Sequence, residues 1–208
     1  MGPTAAGLRR CWPRCAPRAA RISDVQIVDG YIPEAARRLG LDWEADRISF
    51  TDVTVGAARL SGLLHGMGLD CTADDARPNG QDTLLLIVPH GEQHTLGAAI
   101  LAGQLRRMGI SVCFRLGPSL SDLAGLTAAR HFKGALISIG SQDRINTCSM
   151  LVRTLHTLSK GTLRVVVGGV IVGSGSPDLL ALGADAVTNE IEGALAVFGL
   201  DVHRHAAS

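Results

Sequence analysis

Aromatic residues are scarce in this chain: two Trp, one Tyr and four Phe make up 3% of its 208 residues. A core cannot rest on stacked rings and has to be packed from Ala, Leu, Val and Ile, which a hydrophobic content of 46% supplies. Nowhere do about 18 or more apolar residues follow one another, so no membrane-spanning helix is expected. Excess charge is missing too. Twenty Lys and Arg against 19 Asp and Glu leave a net charge of +1, with no general pull toward nucleic acid or acidic lipid. The five cysteines, Cys11, Cys15, Cys71, Cys113 and Cys148, are odd in number and lack the spacing of a disulfide framework. A reducing compartment, the cytoplasm, is therefore expected. No helix-turn-helix pattern occurs, so specific reading of DNA is not expected.

What is present divides into regions. Residues 1–21 carry Arg9, Arg10, Arg14, Arg18 and Arg21 without one acidic residue, and are expected to form a disordered basic tail. Within it, Cys11-x-x-x-Cys15 reads as half a metal site, a redox pair or part of the tail. Residues 22–67 are helical in pattern. A short helix is expected over Pro33–Gly40, with proline in its first turn, followed by Trp43 in a turn. A longer helix starts at Ser49, capped by Ser49 with Asp52 at the third position, and ends at Gly66. Its apolar face is expected to be Phe50, Val53, Ala57, Leu60 and Leu64. Residues 68–81, polar and rich in Pro and Gly, read as a linker. From 82 to 202 strand and helix patterns alternate, and residues 203–208 are a short tail.

Five strands are expected, at Thr83–Val88, Ser111–Arg115, Ala135–Ile139, Leu163–Val167 and Ala186–Val187. Helices are expected near Thr95–Met108, Leu120–Arg130, Ile145–Leu158, Pro177–Leu182 and Glu190–Phe198. This alternation, with 25 glycines for the turns, makes a doubly wound α/β domain of five parallel strands. The stretch that organises it is Asp82 to Gly97, DTLLLIVPHGEQHTLG. A buried strand ends at Pro89, and His94 sits on the loop leaving its carboxyl end, where open α/β sheets bind ligands. Glu92, two residues earlier, can accept a hydrogen bond from the imidazole nitrogen that faces away from a ligand. Gly97 lets a bulky group approach the next helix. A loop histidine can equally be a surface or a catalytic residue. His90, beside Pro89, reads as solvent-facing or as a competitor for the same metal. His65, His131, His156, His203 and His205 fit helix ends or tails, and none of these five has a partner at zinc-site spacing.

Two more signals follow. Ser138 stands 41 residues beyond Gly97, in ISIGSQ, and 27 residues separate Gly140 from Gly168-Gly169. The whole resembles the cobalamin-binding signature, Asp-x-His-x-x-Gly, Ser-x-Leu, Gly-Gly, of methionine synthases, mutases and corrinoid proteins. The resemblance implies that His94 is the lower cobalt ligand, that Ser138 contacts the base of the nucleotide tail, and that Gly168 and Gly169 leave room for that tail. Glu92 departs from the Asp of this pattern and Gly140 from its Leu. The strand order 2-1-3-4-5, flavodoxin-like, puts the loops carrying His94, Ser138 and Gly168-Gly169 side by side.

The segment YIPEAARRLGLDWEADRISFTDVTVGAARL resembles the AerR and PpaA family of photosynthesis-gene regulators, related to the sensor domain of AppA. That resemblance, over roughly Tyr31 to Leu200, implies a helical cap over cobalamin (adenosyl-, methyl- or hydroxocobalamin) and a light-responsive regulator, not an enzyme. It implies action as an antirepressor on a repressor of the CrtJ or PpsR kind. Trp43 either covers the cofactor or simply packs. Light sensors of the CarH type place Glu-His after such a Trp, whereas Val53-Thr54 stand here, so the upper-ligand histidine is missing. A cap this short leaves apolar surface for a partner or a second copy. A corrinoid methyl carrier or mutase small subunit would carry the same signature. A haem sensor would use His94 but would leave the slot at Ser138 and Gly168-Gly169 without a role.

Overall fold

The computed structural model describes residues 22–67, 83–174 and 177–200. The basic tail at 1–21, the linker at 68–81 and the segment 203–208 lie outside these, as do Cys11, Cys15 and Cys71. The chain divides into two compact units, one ending at Asp70 and the other beginning at Cys71.

In the helical unit a helical turn at Asp24–Gln26 and a π-helical turn at Ile27–Tyr31 lead into α1, Ile32–Glu44. This helix outruns the expected Pro33–Gly40, because Gly40 costs only about 1 kcal/mol in a helix that Leu41 and Trp43 continue. Trp43 is therefore in the last turn of α1 and not in a loop. The second helix, α2, spans Phe50–Gly66. Ser49 caps it as expected: its hydroxyl accepts from the Asp52 N–H at 3.2 Å, and its own N–H donates to the Asp52 carboxylate at 3.0 Å. The inward face differs from the expected stripe. Phe50 is 65% exposed and Ala57 is exposed, while Val53, Gly56, Leu60, Leu63 and Leu64 are the more covered positions. The cause is Gly56, which an apolar count passes over: the Leu39 side chain of α1 occupies the space where its side chain would stand.

The second unit contains five strands: β1 Thr83–Val88, β2 Ser111–Leu116, β3 Gly134–Ser138, β4 Val165–Gly168 and β5 Ala186–Val187. All pair in parallel, in the order β2-β1-β3-β4-β5. Helices α3 (Leu96–Arg107), α4 (Leu120–Ala129), α5 (Ile145–Leu158) and α6 (Ile191–Val197) connect or follow them, with 3-10 turns at Val170–Ser174 and Pro177–Leu182. Every residue of β1 is buried, as a parallel strand covered on both faces must be. Successive side chains point to opposite faces, so β1 feeds two cores. Leu85 and Ile87 join Ile137, Val165, Leu123, Leu151 and Leu155 on the α4 and α5 side. Leu84, Leu86 and Val88 join Val112, Val166, Ala98, Leu105 and Phe198 on the other.

Strand ends move by one or two residues from the expected ones. β3 starts at Gly134, which pairs with Leu84 and is small enough to pass the Phe198 ring. β4 starts at Val165 because the N–H of Leu163 is taken by the Ser159 hydroxyl at 3.2 Å. Among the described residues no helix is long and apolar enough to cross a membrane.

The amino edge of the sheet is fastened by Asp185. Its carboxylate accepts from the Val165 N–H at 2.7 Å and the Arg164 guanidinium at 2.6 Å, and lies 3.2 Å from Nε2 of His156 at the end of α5. Burial would raise its pKa, but these hydrogen bonds and the Arg164 charge outweigh burial and hold it below the usual value. A carboxylate with a depressed folded pKa contributes stability above its unfolded pKa, and that contribution is lost as pH falls through the folded value. We expect stability to drop on acidification below about pH 4. Asp185→Asn should flatten this acid limb and cost about 1–3 kcal/mol at neutral pH, read from urea unfolding across pH. An unchanged acid limb would exclude Asp185 as its source.

Candidate functional site

The sheet's order brings the loops after β1, β3 and β4 together at its carboxyl edge. Leaving β1, the chain turns tightly at Pro89, where the Glu92 N–H donates to the Pro89 carbonyl at 3.1 Å and Gly91 takes φ +76°. The turn points Glu92 inward and His94 outward: the Glu92 side chain is 1% exposed and that of His94 55%.

Glu92 satisfies its buried carboxylate with three donors. One oxygen accepts from the His94 backbone N–H at 2.8 Å and lies 2.7 Å from His94 Nδ1. The other accepts from the Gly140 N–H at 2.8 Å, across on the β3 loop. Burial pushes the Glu92 pKa up, but the Gly140 and His94 amides and the His94 ring together pull it below the usual carboxylate range. An ionised carboxylate only accepts, so Nδ1 is the nitrogen that donates to it, and in the neutral ring Nε2 keeps the lone pair for a ligand. A histidine backed in this way is oriented and made more basic for a metal.

Gly140 lies against that ring, and a side chain there would collide with His94. Ser138 is half-buried at the end of β3, in register with Gly168, and the next residue's N–H, from Ile139, donates to the Gly168 carbonyl at 3.0 Å. Gly169 takes φ +113°, and a Cβ on it would run into the Ile139 carbonyl oxygen. A Cβ on Gly168 would lie 2.9 Å from the Thr188 carbonyl oxygen. Here the chain itself fills the space beside both glycines. Gly97, by contrast, faces open space in the first turn of α3. His90 is exposed and lies beside Gly117 on the β2 loop. Trp43 belongs to the helical unit, where its ring sits 6.3 Å from that of Phe50.

Three features escaped the sequence reading. Asn189, just past β5, clamps Gly169 at both backbone groups: its Oδ1 accepts from the Gly169 N–H at 2.7 Å and its Nδ2 donates to the Gly169 carbonyl at 3.1 Å. The only signal was an amide following a strand, a common turn choice. Arg144, on the β3 loop, rests its guanidinium over Gly91. Leu116 and Val170, at 53% and 70% exposure, put apolar side chains at the ends of β2 and β4. The edge thus carries, in its described residues, two exposed imidazoles, of which His94 is the one backed by a buried carboxylate, and exposed apolar side chains at the ends of β2 and β4. Among the described residues, no three His, Cys, Asp or Glu side chains gather as a metal-ion site. Both described cysteines are buried, and burial raises the Cys148 thiol to about 12, so it stays protonated.

Gly169→Ala should destabilise the protein by about 2–4 kcal/mol, since it combines a left-handed backbone with a backbone collision. Gly97→Ala, in open space, should be neutral or stabilising by up to about 1 kcal/mol. Urea midpoints of the two variants compare them directly. Equal effects would mean that Gly169 is not constrained as described.

No family model matches the chain. It is similar in structure to a cobalamin-binding protein from Desulfitobacterium hafniense DCB-2, at 14% identity, 88% coverage of this chain, 82% of that one and a TM-score of 0.47. In sequence it is 47% identical over 183 residues to the uncharacterized 20.5 kDa protein in the bchF-crtJ intergenic region of Rhodobacter capsulatus. The match covers 88% of this chain and 95% of the relative, and the chain therefore belongs to the family of that Rhodobacter protein.

Proposed function

We propose that this protein binds a corrinoid through His94 and passes the cofactor's state to a repressor of photosynthesis genes. The observation that carries the reading is the His94 imidazole, backed by a buried Glu92 carboxylate and left with one free nitrogen on a ligand-binding edge. A single protein ligand suits a metal that brings its own equatorial ring, whereas a bare ion needs several side chains. The position of the Rhodobacter relative between bchF and crtJ supports a link to photosynthesis genes. So does the likeness of Tyr31–Leu60 to the AerR and PpaA regulators.

In this reading His94 is the lower ligand, Glu92 orients it, Gly97 leaves the start of α3 accessible, and Ser138, Gly140, Gly168 and Gly169 line the neighbouring loops. Adenosyl-, methyl- or hydroxocobalamin would supply a cobalt centre, and in the two alkyl forms light would break the cobalt–carbon bond. By the likeness to the AerR and PpaA regulators Trp43 would take part in sensing the cofactor's state, and the partner is a repressor of the CrtJ or PpsR kind, relieved by an antirepressor. A tenfold change in the partner's affinity needs only about 1.4 kcal/mol of coupling.

His94→Ala should bind hydroxocobalamin more weakly, or with the absorption spectrum of a form lacking protein histidine. Its unfolding midpoint should fall only slightly, because a half-exposed ring leaves no core cavity and the Glu92 carboxylate keeps the backbone N–H donors of residue 94 and Gly140. Unchanged affinity and spectrum would remove His94 from the site. The repressor should bind the apoprotein, dark alkylcobalamin-loaded protein and illuminated protein with different affinities, and Trp43→Ala should reduce the difference. Equal binding by all three forms would overturn the regulatory reading and favour a corrinoid carrier.

A further inference from the structure

Two positions at which the chain departs from the cobalamin signature, Glu92 and Gly140, touch each other. Gly140 serves His94 in two ways. Its N–H donates to the Glu92 oxygen that His94 does not use, at 2.8 Å, and so fixes the carboxylate behind the ring. Its missing side chain makes room for the ring, since a Cβ would collide with the imidazole and stand 2.7 Å from the His94 Cβ. The backbone does not require glycine here, for Gly140 is absent from the positive-φ residues. The ring does.

We propose that Gly140 is a positioning residue for His94, matched to the length of the Glu92 side chain. A carboxylate with one more methylene than Asp can reach from its own loop to the Gly140 amide while keeping the His94 ring on its other oxygen. The imidazole so held lies across the β3 loop, and only an empty position 140 admits it. The two departures are then one adaptation. Because the three groups span two loops, the orientation of Nε2 is set by the spacing of β1 and β3, neighbours in the sheet. The consequence for corrinoid affinity rests on the reading of His94 as cobalt ligand; the positioning of the ring does not.

The experiment uses the full-length apoprotein, labelled with ¹⁵N, and a long-range ¹H–¹⁵N spectrum that reports which imidazole nitrogen of His94 carries the proton. Wild type should show one tautomer, protonated at Nδ1. Gly140→Ala keeps the amide and an allowed backbone, and the 55% exposed ring can turn into solvent, so the protein should fold. Its His94 should then show the mixed tautomers of a free histidine, and its affinity for hydroxocobalamin should fall about 10–100-fold. A His94 signal unchanged from wild type would overturn the proposal. If Gly140→Ala does not fold, Glu92→Gln decides: it offers one acceptor where two are used, so the His94 tautomer or the protection of the Gly140 amide from exchange must change. If neither changes, the proposal fails. Wild type that gives the single tautomer but binds no hydroxocobalamin would sink the corrinoid reading and leave the positioning of His94 standing.

Discussion

A buried carboxylate needs donors, and the way Glu92 finds them organises the carboxyl edge of this sheet. Leaving such a group without partners costs several kcal/mol, so the surrounding chain is constrained to deliver N–H groups to it. Two come from His94, through its backbone and its ring, and the third comes from Gly140 on the next loop. Only a topology that puts β1 beside β3 supplies that third donor, and the order β2-β1-β3-β4-β5 does so. The outcome is an exposed imidazole with a fixed orientation, on a loop that would otherwise leave it free to rotate.

The two edges of the sheet use carboxylates differently. At the amino edge, Asp185 binds Arg164, the Val165 amide and His156, and joins the starts of β4 and β5 to the end of α5. Its partners are all engaged in fastening strands and helix. At the carboxyl edge, Glu92 spends one of its oxygens on a ring whose other nitrogen points outward. Glycines concentrate at that edge for distinct reasons: Gly91 and Gly169 for left-handed backbone, Gly140 for the His94 ring, Gly168 for the Thr188 carbonyl.

Much of the fold was legible because parallel strands covered on both faces read as unbroken apolar runs, and LLLIV, ALIS and VVV stand out against glycine-marked turns. The strand order was legible only because separated signals had to meet at one edge. The pairing of Glu92 with His94 followed from two residues' spacing on a single loop. What periodicity could not reveal were contacts that depend on the absence of a side chain or on distant partners. Leu39 filling the place beside Gly56 reorients α2's covered face, and Gly40 fails to stop α1 before Trp43. Asn189 reaches Gly169 across 20 residues, and Gly140 meets Glu92 across 48. Both contacts are made possible by strand pairing, and neither leaves a local pattern.

The central claim, that His94 is to provide the nitrogen below a corrinoid's cobalt, is tested most directly by electron paramagnetic resonance. Cob(II)alamin would be added to protein grown with ¹⁵N-histidine and to unlabelled protein. If His94 is the ligand, the nitrogen splitting of the cobalt signal must change from the pattern of ¹⁴N to that of ¹⁵N on labelling, and the change must vanish in His94→Ala. A splitting that stays that of ¹⁴N in the labelled protein would mean that the cofactor keeps its own base, and would contradict the account.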